Sequence, residues 1–254
     1  MVRVKRVKKP QRWGSMLDLR LCDARDGLAT LGADTIDMIF TDPPYRVISG
    51  GNNASEGASQ VKYGRPSGML AKNDGKIFEH NDIGIEQYAS ELYRVLKSPG
   101  HAYVMCNLLN LWQFHSVLTD VGFKVHNLLS WRKNTCTPNR WGMKNGEYIF
   151  LLRKGPARSL YNPSLKMIED VNVVPYHSKT HPTEKPVDLI KQYVEASSQK
   201  GEVVLDPFMG TGSTGTACRA MGRRFIGFEL SPEYFGAACS RLNFLPGLSN
   251  GSLL

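Results

Sequence analysis

Short apolar runs alternate along most of this chain with segments that have the periodicity of a helix. Each run has the length and composition of a buried strand. Proline or glycine marks one end of each helical segment (86–98, 109–121, 186–198 and 213–222). The alternation predicts an α/β fold with one mostly parallel sheet between helices. The seven runs assigned to strands are 16–23, 36–42, 101–107, 127–133, 147–154, 202–208 and 224–230.

The length and charge of the chain limit its organisation and its partners. The 254 residues suffice for one sizeable core, and no linker separates two cores. We expect a basic arm at 1–15, a single domain at 16–245 and a tail at 246–254. The formal charge of +9 favours a polyanionic partner, although charge alone also fits an ordinary solvated surface.

Cysteine usage and hydropathy point to a reducing, aqueous compartment. The five cysteines are scattered without a CxxC pair, which argues against a disulfide framework and a zinc site. No apolar run approaches the ~20 residues that span a bilayer, and the first residues lack the apolar core of a signal peptide. We therefore expect a cytoplasmic protein. The spacing of His177 and His181 resembles a metal pair, but the neighbouring prolines disfavour one, and no metal is assigned.

The stretch "VVLDPFMGTGSTG" combines a buried strand, a glycine-rich turn and the start of a helix. Gly210, Gly212 and Gly215 satisfy the pattern G-x-G-x-x-G, in which glycines let the backbone approach a ligand closely. The next strand ends at Glu229, whose carboxylate can accept hydrogen bonds from ribose hydroxyls. Asp206 precedes the glycines and would repel a pyrophosphate. A cofactor with ammonium and sulfonium groups, S-adenosylmethionine, therefore fits better than a dinucleotide.

A second unusual stretch, Asp42-Pro43-Pro44-Tyr45, follows an apolar run at the expected carboxyl edge of the sheet, where ligands bind in such folds. The carboxylate of Asp42 and the carbonyl of Pro43 are acceptors in a segment that proline makes rigid. Together they can accept both hydrogens of an exocyclic amine, and Tyr45 offers a face on which a base can stack. A proline turn beside an incidental acid is the plainer alternative.

With these motifs the chain resembles the DNA amino-methyltransferases, which modify the exocyclic amines of adenine or cytosine. Residues 42–45 match the family's catalytic signature (Asp/Asn/Ser)-Pro-Pro-(Tyr/Phe), and residues 206–213 match Asp-Pro-Phe-x-Gly-x-Gly-(Ser/Thr). A third motif, His-Pro-(Thr/Ser)-x-Lys-Pro, is matched at 181–186. The motif order is that of the beta class, and the resemblance covers 16–245. It implies the Rossmann-like fold of S-adenosylmethionine-dependent methyltransferases. Further family positions are matched by Trp131, Lys133, Asn134, Pro138 and Glu147.

The resemblance also implies a role for each matching residue. Asp42 and the Pro43 carbonyl hold the target amine, Pro44 completes the catalytic motif, and Tyr45 stacks on a base flipped out of the DNA. Lys185, which could otherwise be a solvated charge, reaches the methionine carboxylate of the cofactor. The expected cofactor-binding residues are Asp23 near the adenine, Asp42, Lys185, Asp206, Phe208, Gly210, Thr211, Gly212, Ser213 and Glu229 at the ribose.

The expected substrate is double-stranded DNA, with no membrane partner; a homodimer and a cognate restriction endonuclease stay open. Segments 134–146 and 155–178 are expected to recognise the target sequence, helped by a mobile loop at 46–82. An Asp at the first catalytic position favours adenine N6 over cytosine N4, which remains the alternative. RNA also remains open as a substrate. Cytosine ring-carbon methylation is rejected because no cysteine follows a proline.

Two rival functions use only part of these features. A nicotinamide-binding oxidoreductase would account for the glycine turn, and a non-catalytic DNA-binding module would account for the positive charge. Neither explains the Asp-Pro-Pro-Tyr and His-Pro-Thr-Glu-Lys-Pro motifs. The sequence therefore predicts an adenine-N6 DNA methyltransferase.

Overall fold

The computed structural model describes residues 16–44, 83–137, 144–174 and 184–246. The segment 46–82, which was expected to be a mobile loop, lies outside the described residues, as do the whole arm and most of the tail. The strands are β1 (Leu17–Leu21), β2 (Ile36–Thr41), β3 (Leu96–Cys106), β4 (Lys124–Thr137), β5 (Lys144–Lys154), β6 (Ile168–Asp170), β7 (Val203–Asp206) and β8 (Arg224–Glu229). The α-helices are α1 (Ala24–Thr30), α2 (Ala89–Val95), α3 (Leu111–Asp120), α4 (Val187–Ser197), α5 (Ser213–Ala220) and α6 (Pro232–Leu242), with 3₁₀ turns at Ile85–Gln87 and Leu108–Asn110.

All eight of these strands form one sheet in the order β1-β8-β7-β2-β3-β5-β4-β6. Neighbouring strands are parallel except where β5 pairs with β3 and β4. The expected mostly parallel α/β sheet is therefore confirmed, with eight strands in the described residues instead of seven. The additional strand is β6, whose three residues pair with β4 and lie in none of the seven runs assigned to strands.

The sheet is buried on both faces because its central strands are apolar at successive positions. In β2, Ile39 packs into the core on one face, while Met38 and Phe40 pack into the core on the other. Helices α1, α2 and α3 cover the first face, and α4, α5 and α6 cover the second. Such coverage is typical of a parallel sheet, whose crossover helices lie on its faces. It leaves the carboxyl ends of the strands free to form a site.

The helix expected at 86–98 is shorter than the sequence indicated. Helix α2 ends at Val95 and β3 begins at Leu96, so Pro99 and Gly100 lie inside a strand instead of beyond a helix. The ladder between β2 and β3 is interrupted between the pairs Ile36–Leu96 and Met38–His101, and Pro99 lies in this irregular stretch. A proline is tolerated there because its missing N–H is not needed by the ladder.

Two helices were not assigned from the sequence, and both are capped by side chains. Asp23 accepts the backbone N–H of Arg25 at the start of α1, and Ser231 accepts that of Tyr234 at the start of α6. Such caps satisfy donors that a helix leaves unpaired in its first turn. Within the described part of the chain, no helix combines the length and hydrophobicity needed to cross a lipid bilayer.

Two buried tyrosines between the sheet and α4 differ in how their hydroxyl groups are satisfied. The ring of Tyr193 lies 5.6 Å from that of Phe40 and 5.0 Å from that of Tyr103, measured between centroids. The hydroxyl of Tyr103 is 2.8 Å from Ser197 Oγ, within hydrogen-bonding distance. The Tyr193 hydroxyl is buried and has no hydrogen-bond partner among the described residues. Burying an unpaired hydroxyl is unfavourable.

This difference predicts opposite responses to the same small substitution. We expect Tyr103→Phe to lower the free energy of unfolding by about 1 kcal/mol, because the hydrogen bond between Tyr103 and Ser197 is lost. Tyr193→Phe should leave the free energy of unfolding unchanged or raise it. Urea denaturation of both variants and the wild type measures the pair. Equal destabilisation by the two substitutions would contradict the assignment.

Candidate active site

The two motifs singled out in the sequence meet at the carboxyl edge of the sheet. Strands β2 and β7 are adjacent and parallel, with Ile39 opposite Leu205. Just beyond this pair, Thr41 Oγ1 donates a hydrogen bond to Asp206 Oδ1 at 3.0 Å, across a separation of 165 positions in the chain. Asp42 is therefore held beside the first residue of the glycine turn.

Asp206 is a buried carboxylate that accepts several hydrogen bonds. Besides Thr41, Thr214 Oγ1 donates to Oδ2 at 2.6 Å, and the backbone N–H of Phe208 donates to Oδ1 at 3.1 Å. Burial raises the pKa of Asp206 to about 7, although these hydrogen bonds act in the opposite direction. None of the described residues forms an ion pair with this carboxylate. A ligand with a positive charge would supply the missing compensation.

The glycine turn has the backbone conformation that only glycine adopts readily. Gly210 and Gly212 have φ angles of 53° and 80°, in the left-handed region, and Gly212 directly precedes α5. A Cβ atom on Gly210 would meet nothing within 4 Å, so the space beside the turn is open. Thr211 and Ser213 are buried in the turn, where Ser213 Oγ accepts a hydrogen bond from Arg241 at 3.3 Å.

Glu229 joins the turn to the end of β8. Its Oε2 accepts the backbone N–H of Gly210 at 2.9 Å, and its Oε1 accepts that of Ser231 at 2.8 Å. Each carboxylate oxygen has a second lone pair, so Glu229 can still accept hydrogen bonds from a ligand hydroxyl. The neighbouring strand brings Asp23 to the same edge, since the Cys22 N–H donates to the Glu229 carbonyl at 3.0 Å.

Asp23 and Phe208 also have structural partners. The carboxylate of Asp23 caps α1 and forms an ion pair with Arg25 at 2.7 Å. The Arg25 guanidinium lowers the pKa of Asp23. The ring of Phe208 packs edge-on against Tyr88, with centroids 5.0 Å apart. Their predicted roles at the cofactor stay predictions.

Four charged side chains from four parts of the chain form a cluster on the other side of Asp42. The Lys185 ammonium donates to Asp42 Oδ2 and lies 3.5 Å from Glu147 Oε2. Lys133 on β4 donates to Glu147 Oε1 on β5, and its ammonium is 5.0 Å from the ring centroid of Trp131. Two ammonium groups thus face two carboxylates. We call Asp42, Lys185, Glu147 and Lys133 the charge cluster.

The two oxygens of Asp42 have different surroundings. Although 23% of the side chain is exposed, the Oδ1 atom itself is buried and has no hydrogen-bond partner among the described residues. Oδ2 is bound by Lys185. An unpaired acceptor beside an open glycine turn is suited to a donor on a ligand.

The pKa shifts in the charge cluster follow from burial and from the neighbouring charges. Burial raises the pKa of Asp42, and Lys185 offsets only part of this effect. Burial alone would also raise the pKa of Glu147, but Lys185 and Lys133 outweigh it and lower the pKa below its ordinary value. Burial alone would lower the pKa of Lys185, whereas Asp42 and Glu147 raise it. The cluster therefore keeps Lys185 charged and leaves Asp42 the more easily protonated carboxylate.

The third motif connects the two sides of the site. Glu184 accepts a hydrogen bond from Arg241 at 2.7 Å, and the same Arg241 nitrogen contacts Ser213 at the start of α5. The next residue, Lys185, binds Asp42. Adjacent residues of one segment thus contact Asp42 directly and the glycine turn through Arg241.

Not every expected site residue can be placed. Pro43 is buried and Pro44 is partly buried. Tyr45 lies outside the described residues, as do Pro138, His177, the first half of the third motif at 181–183, and the parts of the expected recognition segments at 138–143 and 175–178.

Sequence reasoning overlooked several residues that hold the site together. Thr41 and Thr214 bind Asp206, and Arg241 binds Glu184. Thr41 could have been found from the sequence, because it is a polar residue at the end of an apolar run. Nothing in the sequence indicates the pairing of Glu184 with Arg241, because this contact depends on how α6 packs.

The burial of Asp206 predicts a pH dependence of stability. In the unfolded chain Asp206 loses its proton near its ordinary pKa of 3.8, whereas in the folded chain it keeps the proton until about pH 7. Its contribution to the free energy of unfolding is therefore fully present below pH 3.8 and is lost as the pH rises towards 7. Asp206→Asn stays neutral at every pH, so its stability should not fall in this range. The amide is accommodated because the Thr41 and Thr214 hydroxyl groups can rotate to accept its hydrogens.

Relative to the wild type, the free energy of unfolding of Asp206→Asn should rise by roughly 2–4 kcal/mol between about pH 4 and pH 7.5. Chemical denaturation of the cofactor-free proteins at matched pH measures the difference. Asp188→Asn, which changes an exposed carboxylate on α4, is the control and should show no such trend. Curves for wild type and Asp206→Asn that stay parallel across this range would show that Asp206 is ionised in the folded protein.

The chain is similar to known methyltransferases. The family model described as DNA methylase matches residues 36–239. The chain is 32% identical over 234 residues to Type II methyltransferase M2.DpnII of Streptococcus pneumoniae, a match covering 85% of each protein. It is 31% identical over 238 residues to Type II methyltransferase M2.LlaDCHI of Lactococcus lactis subsp. cremoris, again covering 85% of each.

Solved structures share the fold. The M1.HpyAVI–SAM complex has a TM-score of 0.64 at 22% identity, covering 89% of this chain and 100% of that one. The cytosine-N4-specific PvuII DNA methyltransferase has a TM-score of 0.67 at 16% identity, covering 92% of this chain and 88% of that one. The family match, which extends from β2 into α6 and includes both the Asp-Pro-Pro-Tyr motif and the glycine turn, confirms the resemblance seen in the sequence. This chain belongs to the DNA methylase family of N6/N4 amino-methyltransferases.

Proposed function

We propose that this chain transfers a methyl group from S-adenosylmethionine to the N6 amine of an adenine that is flipped out of double-stranded DNA. The observation that carries the proposal is the buried, unpartnered Oδ1 of Asp42 beside the open glycine turn. The Asp at the first position of the catalytic motif favours adenine. Cytosine N4 is the second candidate, because the cytosine-N4-specific PvuII enzyme has the same fold.

The glycine turn and its neighbours fit the cofactor. S-adenosylmethionine supplies a methyl group attached to a positively charged sulfonium. Asp206 provides a buried carboxylate without an ion-pair partner among the described residues, and the turn at Gly210 leaves open space. Glu229 provides acceptors for ribose hydroxyls. The M1.HpyAVI structure with the same fold was solved as a SAM complex, which supports the assignment.

We call Asp42, Pro43 and Pro44 the catalytic corner, and its proposed role is to position the amine. An exocyclic amine is a poor nucleophile because its lone pair is delocalised into the ring. Asp42 Oδ1 and the Pro43 carbonyl would accept its two hydrogens and turn the lone pair towards the methyl group, so that catalysis depends on orientation and electrostatics. The nitrogen–methyl bond forms as the methyl–sulfur bond breaks, which leaves S-adenosylhomocysteine. The methylated nitrogen must then release a proton, for which the Asp42 carboxylate would be the nearby acceptor.

The target base must leave the duplex to reach this corner. Extrusion costs a few kcal/mol, and stacking on Tyr45 is proposed to offset part of that cost. The β4–β5 hairpin supports a DNA interface here, because β4 and β5 stay paired as far as Thr137 and Lys144, beyond the pair Cys106–Tyr148 at which β5 stops pairing with β3. The ends of β4 and β5 at 134–137 and 144–146 belong to the expected recognition segment 134–146. A homodimer and a cognate endonuclease stay predictions.

The proposal predicts that Asp42→Ala abolishes methyl transfer without abolishing cofactor binding. We expect the rate of tritium transfer from labelled S-adenosylmethionine into unmethylated genomic DNA to fall at least ~100-fold. S-adenosylhomocysteine should still raise the melting temperature of the variant, which also shows that it folds. Asp188→Ala on α4 is the matched control and should keep wild-type turnover.

Mass analysis of the digested product identifies the methylated nucleoside. N6-methyladenine is the expected product. N4-methylcytosine would refute the adenine assignment while leaving the chemistry in place. Near-normal turnover by Asp42→Ala would refute the proposed role of the catalytic corner.

A further inference from the structure

We propose that Lys185 serves the Asp42 carboxylate, not the cofactor, and that Glu147 and Lys133 are positioning residues that hold Lys185 in place. This inference rests on the proposed function, in which Asp42 binds the target amine. It assigns a role to the charge cluster, in which Glu147 and Lys133 have no role so far and Lys185 was expected at the methionine carboxylate.

The geometry of Lys185 carries the inference. Its side chain is 9% exposed, and its ammonium contacts Asp42 directly and Glu147 at 3.5 Å. A buried ammonium is stable only when carboxylates compensate its charge. Both compensating groups in this structure belong to the chain itself. Lys185 therefore needs no cofactor carboxylate to account for its burial.

The contact with Lys185 gives the two oxygens of Asp42 different roles. Because Oδ2 is bound by the ammonium, the carboxylate plane cannot rotate freely, and Oδ1 is held as the free acceptor. The positive charge also favours the ionised carboxylate, which accepts hydrogen bonds at both oxygens, over the neutral acid, in which one oxygen carries a proton. Lys185 thus sets both the direction and the charge of the group that holds the amine.

Glu147 sets the position of Lys185. It lies on β5, where it is fixed by the ladder opposite Trp131 on β4. Lys133 holds its Oε1, so that Oε2 faces Lys185. With two ammonium groups and two carboxylates, the cluster is neutral overall, and Glu147 in the β4–β5 ladder holds the Lys185 ammonium beside Asp42.

Other titratable groups around Asp42 cannot replace Lys185. Asp206 on β7 adds like charge when it is ionised. Burial raises the pKa of Cys106 on β3 to about 12 and that of Tyr88, before α2, well above its ordinary value, so both stay neutral near pH 7. Among the described residues that influence the Asp42 charge, the cations are Lys185 and the more distant Lys133.

The variant Lys185→Gln distinguishes an effect on the pH profile of turnover from an effect on cofactor affinity. The acid limb of its kcat–pH profile should move to higher pH by about 1–3 units, because the cation beside Asp42 is gone. Turnover at pH 7 should fall at least ~10-fold and partly recover towards pH 9. The Kd for S-adenosylhomocysteine, measured by titration calorimetry, should change less than ~3-fold. Lys185→Arg should keep the acid limb near that of the wild type.

Glu147→Gln should shift the acid limb of the kcat–pH profile in the opposite direction. Removing a carboxylate that repels Asp42 should move the acid limb to lower pH, while kcat falls because Lys185 is less firmly held and KM for S-adenosylmethionine stays unchanged. Lys191→Gln on α4 is the matched control, since this lysine is paired only with Asp188 on the surface in the described structure, and it should match the wild type throughout.

The outcomes separate this inference from the proposed function. If Lys185→Gln weakens S-adenosylhomocysteine binding more than ~10-fold and leaves the acid limb in place, Lys185 serves the cofactor and the inference is wrong. An unchanged acid limb together with unchanged affinity also overturns it. In both cases methylation by the wild type would still support the proposed function. A wild-type chain that transfers no methyl group to DNA overturns the proposed function and this inference with it.

Discussion

The site depends on one contact, the hydrogen bond from Thr41 to Asp206, and on the strand pairing that makes it possible. Because β2 and β7 are adjacent and parallel, their carboxyl ends reach the same edge of the sheet. The bond itself contributes about 1 kcal/mol, as is typical of a hydrogen bond between neutral groups. Its larger effect is geometric, since it fixes the spacing between the catalytic corner and the glycine turn. The residues on both sides of it can then act on one reacting pair.

The site handles its buried charges in two different ways. Beside the glycine turn, Asp206 has hydrogen bonds but no ion-pair partner in the described structure. Burial raises its pKa to about 7, and a positively charged ligand would favour its ionised form. On the amine side, Asp42 lies in a charge cluster with an ammonium already in place. An uncompensated carboxylate favours binding of a positively charged ligand, whereas a compensated one can remain ionised beside a neutral amine. Two aspartates in similar strand-end positions thus differ in how their charge is compensated, which suits the different roles proposed for them.

The sequence predicted the fold class and the two principal corners because their signals are local. A strand followed by a glycine turn, or by two prolines, has a backbone requirement that can be recognised in a few residues. The boundaries around Pro99 were predicted wrongly, since a strand interruption depends on the register between β2 and β3 and not on propensity. Strand β6 was missed for the same reason, because three residues become a strand only when β4 is present beside them. The charge cluster could not be derived either, as it joins side chains that meet only in the folded sheet.

Assembly from strand ends also explains why the order of the motifs along the chain places little constraint on the site. The catalytic corner precedes the glycine turn by 165 positions, measured from Thr41 to Asp206, yet the two lie side by side. Parallel strands present their carboxyl ends at one edge whatever their order in the sequence. Two motifs therefore meet when their strands are neighbours in the sheet. The segment with Glu184 and Lys185 then has a clear physical function. Its adjacent residues bind Arg241 near the glycine turn and Asp42 at the catalytic corner, so one short segment joins the two halves of the site.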